Sequence, residues 1–245
     1  MLPHHDFLNP RPLPSKIDSF HARRSILRAL TKHLGRFEGT LLDVGCGQMP
    51  YKAVVLAPPS RVKRYLGLDS STDFGAPHRG AFAPPDLEWQ GEVIPLEAGS
   101  VDCAMATEVL EQCPEPGRIL REVLRVLKPG GVFFFTVPFL WPLHNTPFDQ
   151  YRFTPAALGR LLAQAGFTGI ELETLGGWDA SLAQMVGLWV RRRPMGRRWR
   201  WLLSRLAAPL VRFLADRDRP PPAATDQTMI TGLAGIAVKP PASSA

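Results

Sequence analysis

Cysteine is scarce in this chain, and no apolar run reaches the roughly 20 residues that a membrane-spanning helix needs. Its three cysteines, Cys46, Cys103 and Cys113, form no CxxC pair and leave an odd thiol. That usage argues against a disulfide framework, and no metal centre is expected. A reducing cytoplasm suits it. The N-terminus carries Asp6 and several prolines where a signal peptide would have a basic start and an apolar core. No Walker A sequence occurs, and no repeat is visible.

Acidic residues are missing from one place in particular. The formal net charge is +7, yet between Val190 and Arg219 lie ten arginines against two aspartates; of 29 basic and 22 acidic residues this leaves 19 against 20 elsewhere. The basicity therefore belongs to one segment and not to the whole surface.

What is present is an alternation of short apolar runs with helical patterns. Thr40–Val44, Tyr65–Leu68, Val101–Ala106 and Val132–Val137 read as buried strands, and the segments between them as crossover helices. Ser19 to Leu34 predicts a helix stopped at Gly35. From Pro116 to Leu127, Ile119, Leu120, Val123, Leu124 and Leu127 form one face, ended by Lys128-Pro129-Gly130-Gly131. Thr154 as N-cap with Pro155 behind it opens a helix that ends at Gly166. Strands near Gly169–Leu175 and Met229–Val238 complete an α/β, doubly wound Rossmann-like sheet. We read residues 1–18 as a flexible arm and 19–245 as one domain, with a helical insertion at about 178–228, too long for an ordinary loop.

Leu41-Leu42-Asp43-Val44-Gly45-Cys46-Gly47 puts a buried strand directly before a glycine turn, the junction where open parallel sheets hold ligands. Glycine is required where a ligand lies against the main chain or φ is positive. Asp69 ends the second strand, where a carboxylate can accept both hydroxyls of a ribose; such charge-assisted bonds contribute about 1.5–3 kcal/mol. A nicotinamide fingerprint would place a third glycine where Pro50 stands.

Four segments in order, LLDVGCG, YLGLD, GEVIPLEAGSVDCAMATEVLEQC and LREVLRVLKPGGVFFFTVP, resemble the class I S-adenosylmethionine-dependent methyltransferases over roughly residues 40–167. The resemblance implies a mostly parallel sheet with an antiparallel last strand, and S-adenosyl-L-methionine as cofactor. It implies further that Asp43, Gly45 and Gly47 line the methionine side, Asp69 holds the ribose, and Thr107 and Glu108 follow the fourth strand beside the sulfonium. Gln90 stands where many relatives place an acid for the adenine amino group, and Gln112 where they often carry histidine.

After the fifth strand come His144, Asn145, Asp149, Tyr151, Arg152 and Thr154. His144 takes a proton near neutral pH and Asp149 can orient its ring, so these two are the expected catalytic pair. Glu108, Tyr151 and Arg152 are the expected substrate contacts. An Asp149–Arg152 pair that merely holds the loop is the competing explanation. The H…D..RFT pattern resembles relatives associated with surface-glycan biosynthesis, which implies a small, lipid-linked or glycan-related methyl acceptor. A cofactor-binding scaffold without turnover is the alternative.

In the insertion, Trp199, Leu202, Leu203, Leu206, Leu210, Phe213 and Leu214 share a helical arc, with Arg198, Arg205 and Arg212 beside it and Pro209 inside. Two uses are open: a lid that buries this arc, or a helix lying on an anionic membrane surface through residues 190–219, peripheral at the inner face. The leucines disfavour a nucleic-acid partner.

Overall fold

The sheet is built from β1 (Glu38–Val44), β2 (Arg61–Ser70), β3 (Leu87–Trp89), β4 (Val101–Thr107), β5 (Leu127–Pro138), β6 (Thr168–Leu175) and β7 (Gly232–Val238). The computed structural model describes residues 5–70, 84–221 and 224–242; the first four residues of the expected arm lie outside them. The helices are α1 (His5–Leu8), α2 (Phe20–His33), α3 (Lys52–Val55), α4 (Pro116–Val126), α5 (Pro155–Ala165), α6 (Trp178–Arg192) and α7 (Arg197–Arg217).

Strand order is β3-β2-β1-β4-β5-β7-β6. β1 pairs in parallel with both β2 and β4, so the order reverses beside it and opens a crevice at the carboxyl ends of β1 and β4. β7 runs antiparallel. Lys239 exchanges main-chain bonds with Gly130 and Gly131 at the start of β5, and the Thr168 hydroxyl donates to the Val238 carbonyl at the start of β6.

By contacts the chain forms two units. One takes Leu30–Pro138, Pro142–Leu172 and the chain from Ala234 on; the other takes the chain up to Ala29, Phe139–Trp141 and Glu173–Leu233.

In the first unit Phe133, Phe134 and Phe135 are consecutive and fully buried. A strand covered on both faces reads as such a continuous apolar run. Their rings pack with Phe37 and Phe167 at centroid distances of 6.2 and 5.5 Å. The Lys128–Gly131 stretch does end α4, but it also lies inside β5. Pairing jumps there from Val101↔Leu127 to Cys103↔Val132, and Gly130 takes φ +78°. A bulge absorbs the extra residues. α5 forms as the sequence predicts: the Thr154 hydroxyl accepts from the Ala157 amide, and Gly166 closes the helix at φ +103°.

The second unit is organised by α6 and α7. Ala183 and Val190 of α6 pack with Ala208, Val211 and Leu214 of α7 and with Ile17 and Phe20. Asp218, just past α7, accepts from the amides of Gly177 and Ala180 and so caps α6. α7 continues through Pro209 to Arg217. Gly187 admits the backbone at Ile17, whose carbonyl oxygen would lie 2.4 Å from an added Cβ.

Candidate active site

β1 delivers Asp43 and Val44, both buried, to a turn in which Gly45 and Gly47 adopt φ +66° and +50°. The amides of Gly45 and Cys46 both donate to the Leu68 carbonyl, at 2.8 and 3.0 Å, which ties the turn to β2. A Cβ on Gly45 would meet Val109 at 2.6 Å, whereas one on Gly47 would enter open space. Gly45 is thus required by packing and φ together, and Gly47 borders the crevice.

Asp69 closes this corner. Its Oδ2 accepts from the Gly47 amide at 2.7 Å and its Oδ1 from the Ser70 amide at 2.7 Å. The glycine turn and the acid, 22 residues apart in sequence, are therefore in direct contact.

Below them the Tyr65 hydroxyl donates to Asp43 Oδ2, while Asp43 Oδ1 is buried without a partner. Burial pushes the Asp43 carboxyl up to about 7, against the lowering effect of the Tyr65 bond. Gln90 is exposed one residue past β3, and Thr107 is half-buried at the end of β4, paired in register with Thr136. Glu122 and Arg125 of α4 hold the segment after Gln90: Glu122 accepts from the Ile94 amide, and Arg125 donates to the Ile94 and Leu96 carbonyls at 2.9 Å.

A second cluster follows β4 and β5. Glu108 adopts φ +58°, unusual for a residue with a side chain, and its Oε1 accepts from the Thr136 hydroxyl at 2.8 Å. Glu111 lies on a single 3-10 turn, Leu110–Gln112, and is completely buried; neither carboxylate oxygen has a hydrogen-bond partner. Burial raises both glutamates above the usual carboxylate range, and the Glu108 charge raises Glu111 further.

His144 stands between two carboxylates. Its Nδ1 is 3.3 Å from Asp149 Oδ2, and its Nε2 is 3.9 Å from Glu111 Oε1. Asp149 also accepts from Arg152, at 2.6 Å from Nη1 and 2.8 Å from Nη2, and from the His144 amide at 3.1 Å. The Arg152 hydrogen bonds above all hold its carboxyl at about 2.

The polar groups of Tyr151 and Arg152 bond to neighbouring main chain and to Asp149. The Tyr151 hydroxyl donates to the Pro114 carbonyl at 3.0 Å and its ring stacks on Phe153, while Arg152 adds a bond to the Tyr151 carbonyl at 2.7 Å. Gln112 joins the same network: Asn145 Nδ2 donates to its Oε1 at 3.2 Å. Glu111 escaped the sequence analysis. Its sole signal is an acid next to the apolar pair Val109-Leu110, and its carbonyl anchors the loop by accepting the Gln150 and Tyr151 amides.

A family profile described as "Methyltransferase domain" matches residues 42–135. The chain is 33% identical over 155 residues to a Mycolicibacterium smegmatis protein called "Probable S-adenosylmethionine-dependent methyltransferase", covering 59% of this chain and 58% of that one. It is 30% identical over 185 residues to an uncharacterized methyltransferase of Mycobacterium sp. strain KMS, covering 66% of this chain and 68% of that protein. The chain belongs to the class I S-adenosylmethionine-dependent methyltransferases. It spans little more than half the length of the M. smegmatis relative.

The methyltransferase fold is shared with the crystal structure of a SAM dependent methyltransferase from Archaeoglobus fulgidus at TM-score 0.54 and 16% identity, covering 89% of this chain and 94% of that one. The family's methyl donor fits the residues at the crevice on three counts. Space is open over Gly47, a carboxylate stands at the end of β2, and the buried Asp43 Oδ1 has no partner. A donor that carries an amino group and a vicinal diol has use for each.

Proposed function

We propose that this chain transfers the methyl group of S-adenosylmethionine to a small, lipid-linked or glycan-related acceptor. The observation that carries the reading is the Asp69 carboxylate seated on the Gly47 amide at the carboxyl ends of β1 and β2. In this reading Asp69 takes the ribose hydroxyls and Gln90 the adenine amino group. Gly45, Gly47 and Asp43 line the methionine end, and Thr107 flanks the sulfonium. When bound, the cofactor supplies a methyl group made electrophilic by its positive sulfur.

Methyl transfer is an in-line displacement, so holding the acceptor in line is the main contribution the chain makes, on the order of 7–11 kcal/mol. An acceptor hydroxyl or amine must also lose a proton. In this reading His144 takes it: the Asp149 carboxylate, 3.3 Å from Nδ1, fixes the ring and stabilises the imidazolium that forms, and Nε2 accepts the proton. Arg152 keeps Asp149 ionised for this purpose. Glu108, raised by burial and held by Thr136, supplies a polar contact for the acceptor.

Calorimetry with S-adenosylmethionine tests the pocket. Binding by the intact protein and its loss in Asp69→Ala are expected, and an intact protein that binds neither the donor nor its demethylated product overturns the reading. With an acceptor found by screening extracts for labelled methyl uptake, His144→Ala should lower turnover by roughly 10²–10⁴ while cofactor affinity stays unchanged. Unchanged turnover removes His144 from the chemistry.

A further inference from the structure

In the helical unit most of the apolar arc of α7 stays on the surface; of its seven residues, Leu203 and Leu214 pack inward. In α7 the buried residues are Ser204, Ala208, Val211, Leu214 and Ala215, mostly small. The large apolar residues point out: Trp199, Leu206 and Phe213 are 65%, 64% and 57% exposed, and Leu202 and Leu210 are exposed with them. Positions 199, 202, 206, 210 and 213 follow an i, i+3, i+7, i+11, i+14 spacing, so they form one stripe along the helix. α6 repeats the arrangement, with Trp178, Leu182, Met185 and Trp189 exposed at i, i+4, i+7 and i+11. Of the exposed large apolar residues among those described, most belong to this unit.

Arginines edge these stripes. Arg198, Arg205 and Arg212 recur every seven residues along one flank of the α7 stripe. Three guanidinium groups lie over exposed rings, Arg193 on Trp189 at 3.8 Å, Arg205 on Trp201 at 5.0 Å and Arg217 on Phe213 at 5.4 Å. Where α7 passes Pro209, a hollow of about 600 Å³ is lined by Arg11, Arg24, Arg212 and Asp216 over Phe20, and Asp216 pairs with both Arg24 and Arg212 there, at 2.5 and 3.5 Å.

We infer that the α6–α7 unit docks this protein on an anionic lipid bilayer, with the α7 stripe entering the head-group boundary and the flanking arginines binding lipid phosphates. Charge selects this occupant. A second copy of the chain would bring a segment of ten arginines against its equal; Asp18, Asp216 and Asp179 offset Arg192, Arg212 and Arg217 in each, and the segment stays strongly positive. A nucleic acid would satisfy the arginines but leave the leucines in water. A bilayer surface meets both needs, since aromatic and aliphatic side chains enter the boundary while arginine stays at the phosphates. No helix among the described residues is long and apolar enough to cross a membrane, so the contact is one of lying on the surface.

The test is sedimentation of the full chain with phosphatidylcholine vesicles, with and without phosphatidylserine, in the absence of any methyl donor. The result is thus independent of the enzymatic reading. The protein should sediment with the phosphatidylserine vesicles, less so as salt rises. Replacing Arg198, Arg205 and Arg212 by Gln should weaken binding on the order of 100-fold. The double variant Leu206→Ser/Phe213→Ser should weaken it about 10-fold or more. All three residues and both apolar positions are on the surface, and circular dichroism checks that the variants fold. The proposal is overturned if the intact protein stays in the supernatant at low salt, or if both variants sediment as it does. It is also overturned if analytical ultracentrifugation shows a dimer that Leu206→Ser/Phe213→Ser dissolves.

Discussion

The two units of this protein handle large apolar side chains differently. In the sheet-bearing unit three successive phenylalanines vanish into the core and the ionisable residues collect where strands end, at Asp43, Asp69, Glu108 and the His144 loop. In the helical unit small residues such as Ala183, Ser204 and Ala208 share the interior with Ile17, Phe20, Val211 and Leu214, while Trp178, Trp189, Trp199, Trp201, Leu206 and Phe213 remain in solvent. A parallel sheet covered on both faces has room for large side chains because its layers stand about 10 Å apart. A small residue on a helix admits a neighbouring backbone closely, as at Gly187 of α6, where the turn at Ile17 leaves no space for a methyl group. Apolar character alone therefore did not decide burial here.

Three substitutions test that contrast, in order of expected effect. Phe134→Ala opens a cavity in the sheet core and should cost about 3–5 kcal/mol in urea unfolding; a loss below about 1 kcal/mol would place this residue outside any packed core.

Asp149→Asn should cost about 2 kcal/mol, because the folded carboxyl sits at about 2 against an ordinary value of 3.8. The sign follows from the depressed value. The contribution is complete above about pH 4 and fades as pH falls through about 2, so Asp149→Asn should flatten the acid limb of the stability curve in that window. An unchanged acid limb would mean that Arg152 does not hold this carboxylate.

Leu206→Ser, the mildest, should change stability by no more than about 0.5 kcal/mol. A loss beyond about 1 kcal/mol would show that the stripe is covered within the protein, and the contrast between the units would fail.

Much of the site was legible along the chain. A glycine turn after a buried strand and an acid at the end of the next strand need only local residue types at a suitable separation, and Gly47 and Asp69 do meet. The Thr154-Pro155 start and the Gly166 stop of α5 were equally readable, because caps are set by the residues that form them. Lys128-Pro129-Gly130-Gly131 was half legible: it stops α4, but its place as a bulge inside β5 depends on pairing with β4. Glu111 was missed because nothing in one dimension shows a carboxylate losing its water, and its neighbour His144 is 33 positions away.

The amino-acid order by itself determined the alternating architecture, the glycine corner and the concentration of positive charge, since each rests on periodicity, backbone freedom or simple counting. Only the tertiary structure decided that Glu111 and Asp149 flank one imidazole, and that α7 turns its small residues inward and its aromatics out. Both outcomes depend on how closely separate segments approach, and that distance is set by packing between elements and not by the pattern within any one of them.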